Sequence, residues 1–238
     1  MMDKLKIILR RNVSKLYHAI SRGWKRKRFI RFLELVNPRP GGTVLDLGGG
    51  RGSFFYDNLD LVQKRNLRVV VADISAQDLL VAKSRGFETF TLNDGGLGAL
   101  EDGQFETVFC NSVIEHVNLP KDQVWDYRAD DFYAKAFAVQ RVFAADIERV
   151  ARKYFVQTPC VHFPLESHSW LPAFYAYPKS RAMHVARLEK ISRYWIKSTS
   201  PDFNLLNEKQ MRELFPHADE VVSNRVLGFP KELIAYRG

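Results

Sequence analysis

A chain of 238 residues with 46% hydrophobic content is long enough for one α/β domain with a sizeable core and some additions. No apolar run approaches the ~20 residues of a membrane span, no leader pattern is expected at the N-terminus, and Cys110 and Cys160 lack the spacing of a disulfide framework or a zinc site; a reducing, cytoplasmic setting is expected, at most peripheral to a membrane. The formal charge of +9 is concentrated at one end: residues 1–31 hold eleven Lys or Arg against Asp3 alone, which leaves the remainder close to neutral.

Leu5, Leu9, Val13, Leu16, Tyr17, Ile20 and Trp24 fall at helical spacing, which predicts an amphipathic helix with a basic opposite face. The run Lys25–Arg28 is expected to interrupt it. The arm is therefore drawn as residues 1–28 and the domain as 29–238, opening with a helix over 29–36. A basic arm on a neutral domain points to an anionic neighbour: a membrane surface, nucleic acid or a phosphorylated substrate. The plainer alternatives are a helix packed on the domain and a flap over its ligand site.

Thr43–Leu47 is a short apolar run, read as a buried strand. It runs into Gly48, Gly49, Gly50 and Gly52, and then into a helix over 53–65. Arg68–Asp73 is a second strand closed by an acid. Residues 75–85 read as a helix with Ser75 or Asp78 near its start and Gly86 at its stop. Residues 87–92 form a third strand, followed by the turn Asn93-Asp94-Gly95-Gly96, and a fourth strand runs from Phe105 to near Asn111. Residues 122–137 read as a polar and aromatic insertion ahead of a helix over 138–152. In it, Trp125, Tyr127, Phe132 and Tyr133 either form a substrate wall or pack the insertion itself. Residues 153–158 are a fifth strand, 173–198 an aromatic and basic helical cap, and 205–215 a helix starting after Asn204 or Asn207. Residues 221–226 and 232–236 are the last two strands, joined through Gly228–Pro230. Cap insertions are thus placed around 118–137 and 160–200.

A strand that ends in glycines and enters a helix lets backbone touch a ligand. Glycine has no Cβ to block approach, and a helix N-terminus offers unpaired N–H groups. A dinucleotide pattern G-x-G-x-x-G begun at Gly48 meets Ser53 where its third glycine should stand. The chain has instead Asp46-x-Gly48-x-Gly50-x-Gly52, which resembles the first motif, D/E-x-G-x-G-x-G, of class I S-adenosylmethionine-dependent methyltransferases. Asp73 is placed to accept both ribose hydroxyls of a nucleoside, which suits that cofactor and NAD alike. Phe105 to Val117 resembles the F-D-x-V-x-x-x-x-V-x-E-H-V pattern of the same family, with Glu106 where Asp is usual. Thr158 to Pro172 resembles one branch of it that includes enzymes acting on small molecules and glycans.

The resemblance implies an α/β fold: a Rossmann-like seven-stranded, mostly parallel sheet with helices on both faces and an antiparallel last strand. The basic N-terminal helix and the helical cap are additions to it. It also implies S-adenosyl-L-methionine as cofactor. The binding residues it implies are Asp46, Gly48, Gly49, Gly50, Gly52, Asp73, Ile74, Asp94, Gly95, Asn111, Ser112 and Val113, with Asp94 toward the adenine amino group.

Methyl transfer from a sulfonium is an in-line displacement. Alignment can supply ~7–11 kcal/mol of its barrier reduction, and a general base adds about 10²–10⁴-fold where the acceptor is a hydroxyl. Glu115, His116, His162, Glu166 and His168 follow the fourth and fifth strands, where open α/β sheets bind ligands. His116, Glu166 and His168 are the catalytic candidates. The alternatives are a brace at His116 and a structural hydrogen-bond knot of His162, Glu166 and His168. No metal-ligand spacing accompanies these groups, so no metal is expected. The expected function is methyl transfer to a small-molecule, lipid-linked or glycan acceptor, with an anionic membrane surface as a partner of the arm. One alternative is an RNA methyltransferase using the arm on phosphates, although no aromatic–basic RNA platform stands out. The other is a non-catalytic cofactor-binding or membrane-docking protein.

Overall fold

The structure, a computed structural model, describes residues 23–93, 96–120, 123, 127–173 and 203–238. One seven-stranded sheet is built from β1 (Thr43–Leu47), β2 (Arg68–Asp73), β3 (Glu88–Thr91), β4 (Phe105–Asn111), β5 (Ala151–Pro159), β6 (Glu220–Val226) and β7 (Phe229–Arg237). Their spatial order is β3-β2-β1-β4-β5-β7-β6. Strands β1 to β5 run parallel, and β7 lies antiparallel between β5 and β6. This is the expected Rossmann-like arrangement. The order reverses between β1 and β4, and the crevice outside the carboxyl ends of these strands is where such sheets take ligands.

Both faces of the sheet are covered, so its central strands bury alternate residues on opposite sides. Phe109 and Phe155 stack at 5.4 Å on one face, within a cluster that includes Phe29, Phe32, Phe54 and Phe55. Val108, Cys110, Tyr154 and Val156 belong to the cluster on the other face, with Phe143, Ile147 and Met211. The aromatic cluster fixes α1 (residues 23–36), whose buried residues Phe29, Phe32, Leu33 and Val36 fall on one helical face.

Helix α1 corrects the expected boundary, for it runs unbroken through Lys25–Arg28. Lys and Arg are good helix formers. Three of the four charges are matched: Lys25 reaches Asp57 at 3.2 Å, Arg26 forks onto Asp60 at 2.6 and 2.5 Å and Arg28 pairs with Glu232. Residues 1–22, most of the expected arm, lie outside the described residues.

The expected helix over 53–65 is two short ones, α2 (Ser53–Tyr56) and α3 (Leu59–Lys64). Buried Asn58 separates them, its amide donating to Phe54 O at 2.8 Å. Helix α4 (Ala76–Ser84) is capped by Ser75, whose side chain accepts from Asp78 N. Helix α5 (Ala129–Val150) starts nine residues ahead of the expected position. Phe132, Ala136, Gln140, Phe143 and Ile147 are all buried, so the helical period extends back into the stretch taken as an insertion. Phe132 packs with Ala136, Leu119 and Tyr127, which makes it core; Trp125 lies outside the described residues. Helix α6 (Glu208–Leu214) begins at Asn207 in a capping box with Gln210, while Asn204 is buried against Gln140. The last hairpin turns at Leu227 and Gly228, both at positive φ, so Phe229 and Pro230 belong to β7 and not to the turn. Among the described residues no helix is long and apolar enough to cross a membrane.

Candidate functional site

Strand β1 delivers the glycine loop to the crevice. Gly48 N and Gly49 N both donate to Ala72 O of β2, at 2.8 and 3.3 Å. Asp73 completes the tie: Oδ2 accepts from Gly50 N at 2.8 Å and Oδ1 from Ser75 N at 2.9 Å. Two glycines are required by geometry. Gly48 has φ +70, and a Cβ there would lie 2.4 Å from Val113 Cγ2; Gly52 has φ +64, and a Cβ there would lie 2.8 Å from the Phe87 ring. The loop therefore folds tightly against β2 and the residues after β4 without any side chain of its own. The helix that follows has only four residues, so the loop's backbone and not a long helix end shapes this corner.

A cavity of about 970 Å³ opens beside the loop. Gly48, Asp73, Ile74, Ser112, Val113 and His116, all among the expected site residues, line it together with Leu92, Gly96 and the α5 residues Val139, Val142, Phe143 and Asp146. The volume suits a nucleoside-sized ligand. Asp46, buried in β1, and Gly49, Gly50 and Gly52, in the turn that follows Gly48, are not among its lining residues. Asp94 and Gly95 lie outside the described residues. Asn111 is turned elsewhere, since its Oδ1 accepts from Arg28 Nη1 at 2.8 Å, and Arg28 also pairs with Glu232.

Asp46 is 2% exposed, and its Oδ2 is buried with no hydrogen-bond partner among the described residues. Burial, with the charge of Asp73 added, pushes its carboxyl up to about 8. A carboxyl left in this state beside a glycine loop fits a ligand that brings positive charge, as a sulfonium or an ammonium does. S-adenosylmethionine carries both, so the loop, the orphaned carboxyl and the cavity fit that group.

Two further clusters meet at the carboxyl ends of β4 and β5. The one-turn 3₁₀ helix Ile114–His116 buries Glu115 completely. Its Oε2 accepts from Thr158 Oγ1 at 2.9 Å, while Oε1 has no hydrogen bond among the described residues. Burial raises its carboxyl to about 7, against the lowering effects of its own backbone N–H, His168, Thr158 and Arg28. Glu166 behaves oppositely. Burial alone would raise it, but bonds from His168 and Ser169 outweigh burial and hold it below the usual carboxylate range. It accepts from His168 N at 2.7 Å, from Ser169 N and Ser169 Oγ at 2.6 Å each, and contacts His168 Nδ1 at 2.7 Å. His168 also lies 3.8 Å from Glu115 Oε1 through Nε2, stacks on Phe203 at 4.5 Å and meets His116 edge-on at 4.9 Å.

The fold thus brings all three catalytic candidates together, although His116 and His168 stand far apart in the chain. Glu166 sits behind His168, where it orients the ring. Sequence reasoning named Glu115 but missed its full burial. Arg28 reads there only as part of the basic run and Thr158 only as the start of the branch motif; Gln157 is not singled out, and its one signal is its place near the end of the predicted fifth strand. Glu115, His116 and His168 also offer ligand atoms all within 4.8 Å of one another. That grouping is invisible in the sequence spacing, and it is small enough for a cation to draw together.

A family profile described as "Methyltransferase domain" matches residues 45–126, from β1 through the 3₁₀ turn and beyond. No curated protein matches the chain. Among solved structures, the chain is similar to geranyl diphosphate methyltransferase in complex with GPP and sinefungin, at 15% identity and a TM-score of 0.53, over 89% of this chain and 77% of that one. It is similar to a chain of the complex between the Haloferax volcanii Trm112 methyltransferase activator and a methyltransferase, at 13% identity and a TM-score of 0.51, over 90% and 92%. It is also similar to a Rhodobacter sphaeroides protein described as a Zn-dependent alcohol dehydrogenase, at 13% identity and a TM-score of 0.53, over 86% of each chain. At these identities the likenesses show the fold; the domain match carries the chemistry.

Proposed function

Given that this chain carries a class I S-adenosylmethionine-dependent methyltransferase domain, we propose that it methylates a proton-bearing acceptor of the small-molecule, lipid-linked or glycan kind, with His116 as the base. One observation carries this reading. His116 lines the same cavity as Gly48 and Asp73 while standing edge-on to His168, whose ring Glu166 anchors.

When bound, S-adenosylmethionine supplies an electrophilic methyl on a sulfonium. The rest is done by this chain. Gly48 and Gly50 would hold the cofactor's amino-acid end, Asp73 its ribose hydroxyls, and Ile74 and Val113 its apolar parts. Asp46 balances the positive charge. His116 takes the acceptor's proton as the methyl transfers, and the proton's charge is buffered by the neighbouring His168 and the Glu115 and Glu166 carboxyls. The residues of the loop and of Asp73 are also consistent with simple nucleoside binding, so the test must separate binding from turnover.

His116→Ala is expected to lower kcat by about 10²-fold or more, with S-adenosylhomocysteine affinity and melting temperature near wild type. The acidic limb of the rate profile, where the imidazole is charged, is expected to vanish. Loss of stability or cofactor affinity with an unchanged profile in the surviving enzyme would make His116 a brace and overturn the base assignment. A variant fully active in both respects would point to an acceptor, such as a neutral amine, that needs no enzymic base.

A further inference from the structure

The basic residues of α1 divide into two sets. Lys25 and Arg26 turn toward α2 and α3, where Asp57 and Asp60 take their charge. Trp24, Lys27, Arg28 and Arg31 repeat at helical spacing and share the face toward the β6–β7 hairpin. There they line a cavity of about 410 Å³ with Arg225 and Lys231. Among the described residues, five cations face one carboxylate, Glu232, in that cavity, and Arg31 also lies 3.8 Å from Glu34. Nor is Glu232 free to balance them, because it is held by Arg28. The Lys231 ammonium lies 3.2 Å above the Trp24 ring, a cation–π contact that fixes both groups. Arg28 Nε is buried with no hydrogen-bond partner among the described residues.

A second cavity, of about 480 Å³, adjoins this one and shares Trp24, Arg28, Val226, Lys231 and Glu232 with it. Pro159, Phe163, Leu165 and Trp170 give it a mostly apolar surface, with Lys25, Gln157 and Ser167 also lining it, whereas its neighbour is mostly cationic. At its other end it reaches Ser112, which also lines the cofactor cavity. Ser112 is pinned there at φ +57, with its N donating to Gln157 O at 2.9 Å and its Oγ to Gln157 Oε1 at 3.1 Å. The three spaces therefore lie in sequence: methyl-donor cavity, apolar chamber, cationic chamber.

We propose that the two outer chambers form the acceptor site, and that the acceptor is an amphipathic phosphate ester whose hydrocarbon part fills the apolar chamber and whose phosphate sits among Lys27, Arg28, Arg31, Arg225 and Lys231. This rests on the methyltransferase reading and adds the acceptor's chemical class to it. Arginine forks match the several oxygens of a phosphate, and the surplus of cations suits a dianion. Aromatic walls beside cations also stack on bases, so capture of an oligonucleotide that hexyl phosphate does not displace would count against the proposal. The phosphate can belong to a soluble ester or to a lipid headgroup, and the two sources are separable.

The test is calorimetry on the full chain with hexyl phosphate, inorganic phosphate and hexanol, S-adenosylhomocysteine being titrated in parallel. Hexyl phosphate is expected to bind at least about ten-fold more tightly than either fragment, and more weakly as salt rises. Lys27→Ala/Arg31→Ala, on the exposed side of α1, is expected to weaken it at least about ten-fold while S-adenosylhomocysteine still binds as in wild type. Equal binding of hexanol and hexyl phosphate, or an unchanged double variant, would overturn the proposal; retained S-adenosylhomocysteine binding would then leave the methyltransferase reading intact. Failure of S-adenosylhomocysteine to bind wild type strikes that reading instead. Phosphatidylglycerol vesicles that capture the protein and lose it to hexyl phosphate support the site and assign the source to lipid. Inert vesicles with tight hexyl phosphate binding support it and assign a soluble ester. Vesicle capture that hexyl phosphate cannot reverse, with no soluble binding, counts against it.

Discussion

Asp46→Asn separates the charge of the first motif from its shape. In the cofactor-free protein the Asp46 carboxyl is pushed up to about 8 from an ordinary 3.8 by burial and by Asp73. A carboxyl raised on folding binds its proton more tightly in the native state, so its stability effect has a definite sign. Below about pH 4 both states are protonated and there is no penalty. Between pH 4 and pH 8 the native state holds a proton that the unfolded state has released, and stability falls steadily. The gap of about four pKa units, at 1.36 kcal/mol each, puts the full penalty near ~6 kcal/mol by pH 8 and ~4 kcal/mol at pH 7. Asparagine removes the titration but leaves an amide with unmet hydrogen bonds, at a cost of about 1–3 kcal/mol. The net expectation for Asp46→Asn without ligand is a gain of a few kcal/mol near pH 8. That is roughly 6–20 °C in melting temperature for a chain of this size, shrinking and reversing as pH falls toward 4. Melts across this range by circular dichroism are the assay. S-adenosylmethionine should reverse the ranking at pH 8, because it stabilises the wild type through a charge that the variant cannot meet. A difference between variant and wild type that stays constant with pH would refute the reasoning, since it would mean that Asp46 does not titrate here.

Gly48→Ala should weaken S-adenosylhomocysteine binding and destabilise the fold by about 1–3 kcal/mol, because it combines positive φ with a Cβ 2.4 Å from Val113; adding Val113→Ala should recover the packing part, and full tolerance of Gly48→Ala by melting and calorimetry would argue against the tight loop. Asp73→Ala should cost about 1.5–3 kcal/mol of cofactor affinity by calorimetry, with faster hydrogen exchange at Gly50 and Ser75, whose N–H groups lose their acceptor. Exhaustive chelation should leave turnover unchanged if His116 acts as a base; activity lost to a chelator and restored by one divalent cation would reassign Glu115, His116 and His168 as its ligands.

The sheet was legible because its signals are local. Val44, Leu45 and Leu47 form an apolar run before glycines, and Arg68–Asp73 and Phe105–Asn111 repeat the pattern with an acid or an amide at the end. Boundaries failed where tertiary contact overrode a local sign. Lys25–Arg28 reads as a break, yet Asp57, Asp60 and Glu232 absorb three of its charges and the aromatic core holds the residues of the helix that follow it. Residues 129–137 read as an insertion because Tyr133, Lys135 and neighbours are polar or aromatic, yet Phe132 and Ala136 extend the buried stripe of α5. The glycine loop was legible in its residues, but its tie to Asp73 depends on β2 lying next to β1. The pairing of His116 with His168 was not legible at all, since it needs β4 and β5 side by side.

The distribution of charge along the carboxyl edge of the sheet gives these parts a common logic. Asp46 and Asp73 stand on one side of the switch point, by the glycine loop, and the cations of α1 and the β6–β7 hairpin stand on the other, beyond Ser112. On the proposed reading, a sulfonium lies on the acidic side and an anionic acceptor on the basic side, so each reactant is held by the charge it needs and the two attract across Ser112. Transfer removes the sulfonium charge. The product thioether then no longer offsets the buried carboxyls as its precursor did, and Asp46 regains its proton more readily. The preference for S-adenosylmethionine over S-adenosylhomocysteine should therefore widen as pH rises toward 8, where the uncompensated carboxylate is most costly. The same charge that holds the donor before transfer thus weakens the hold on what remains of it afterwards.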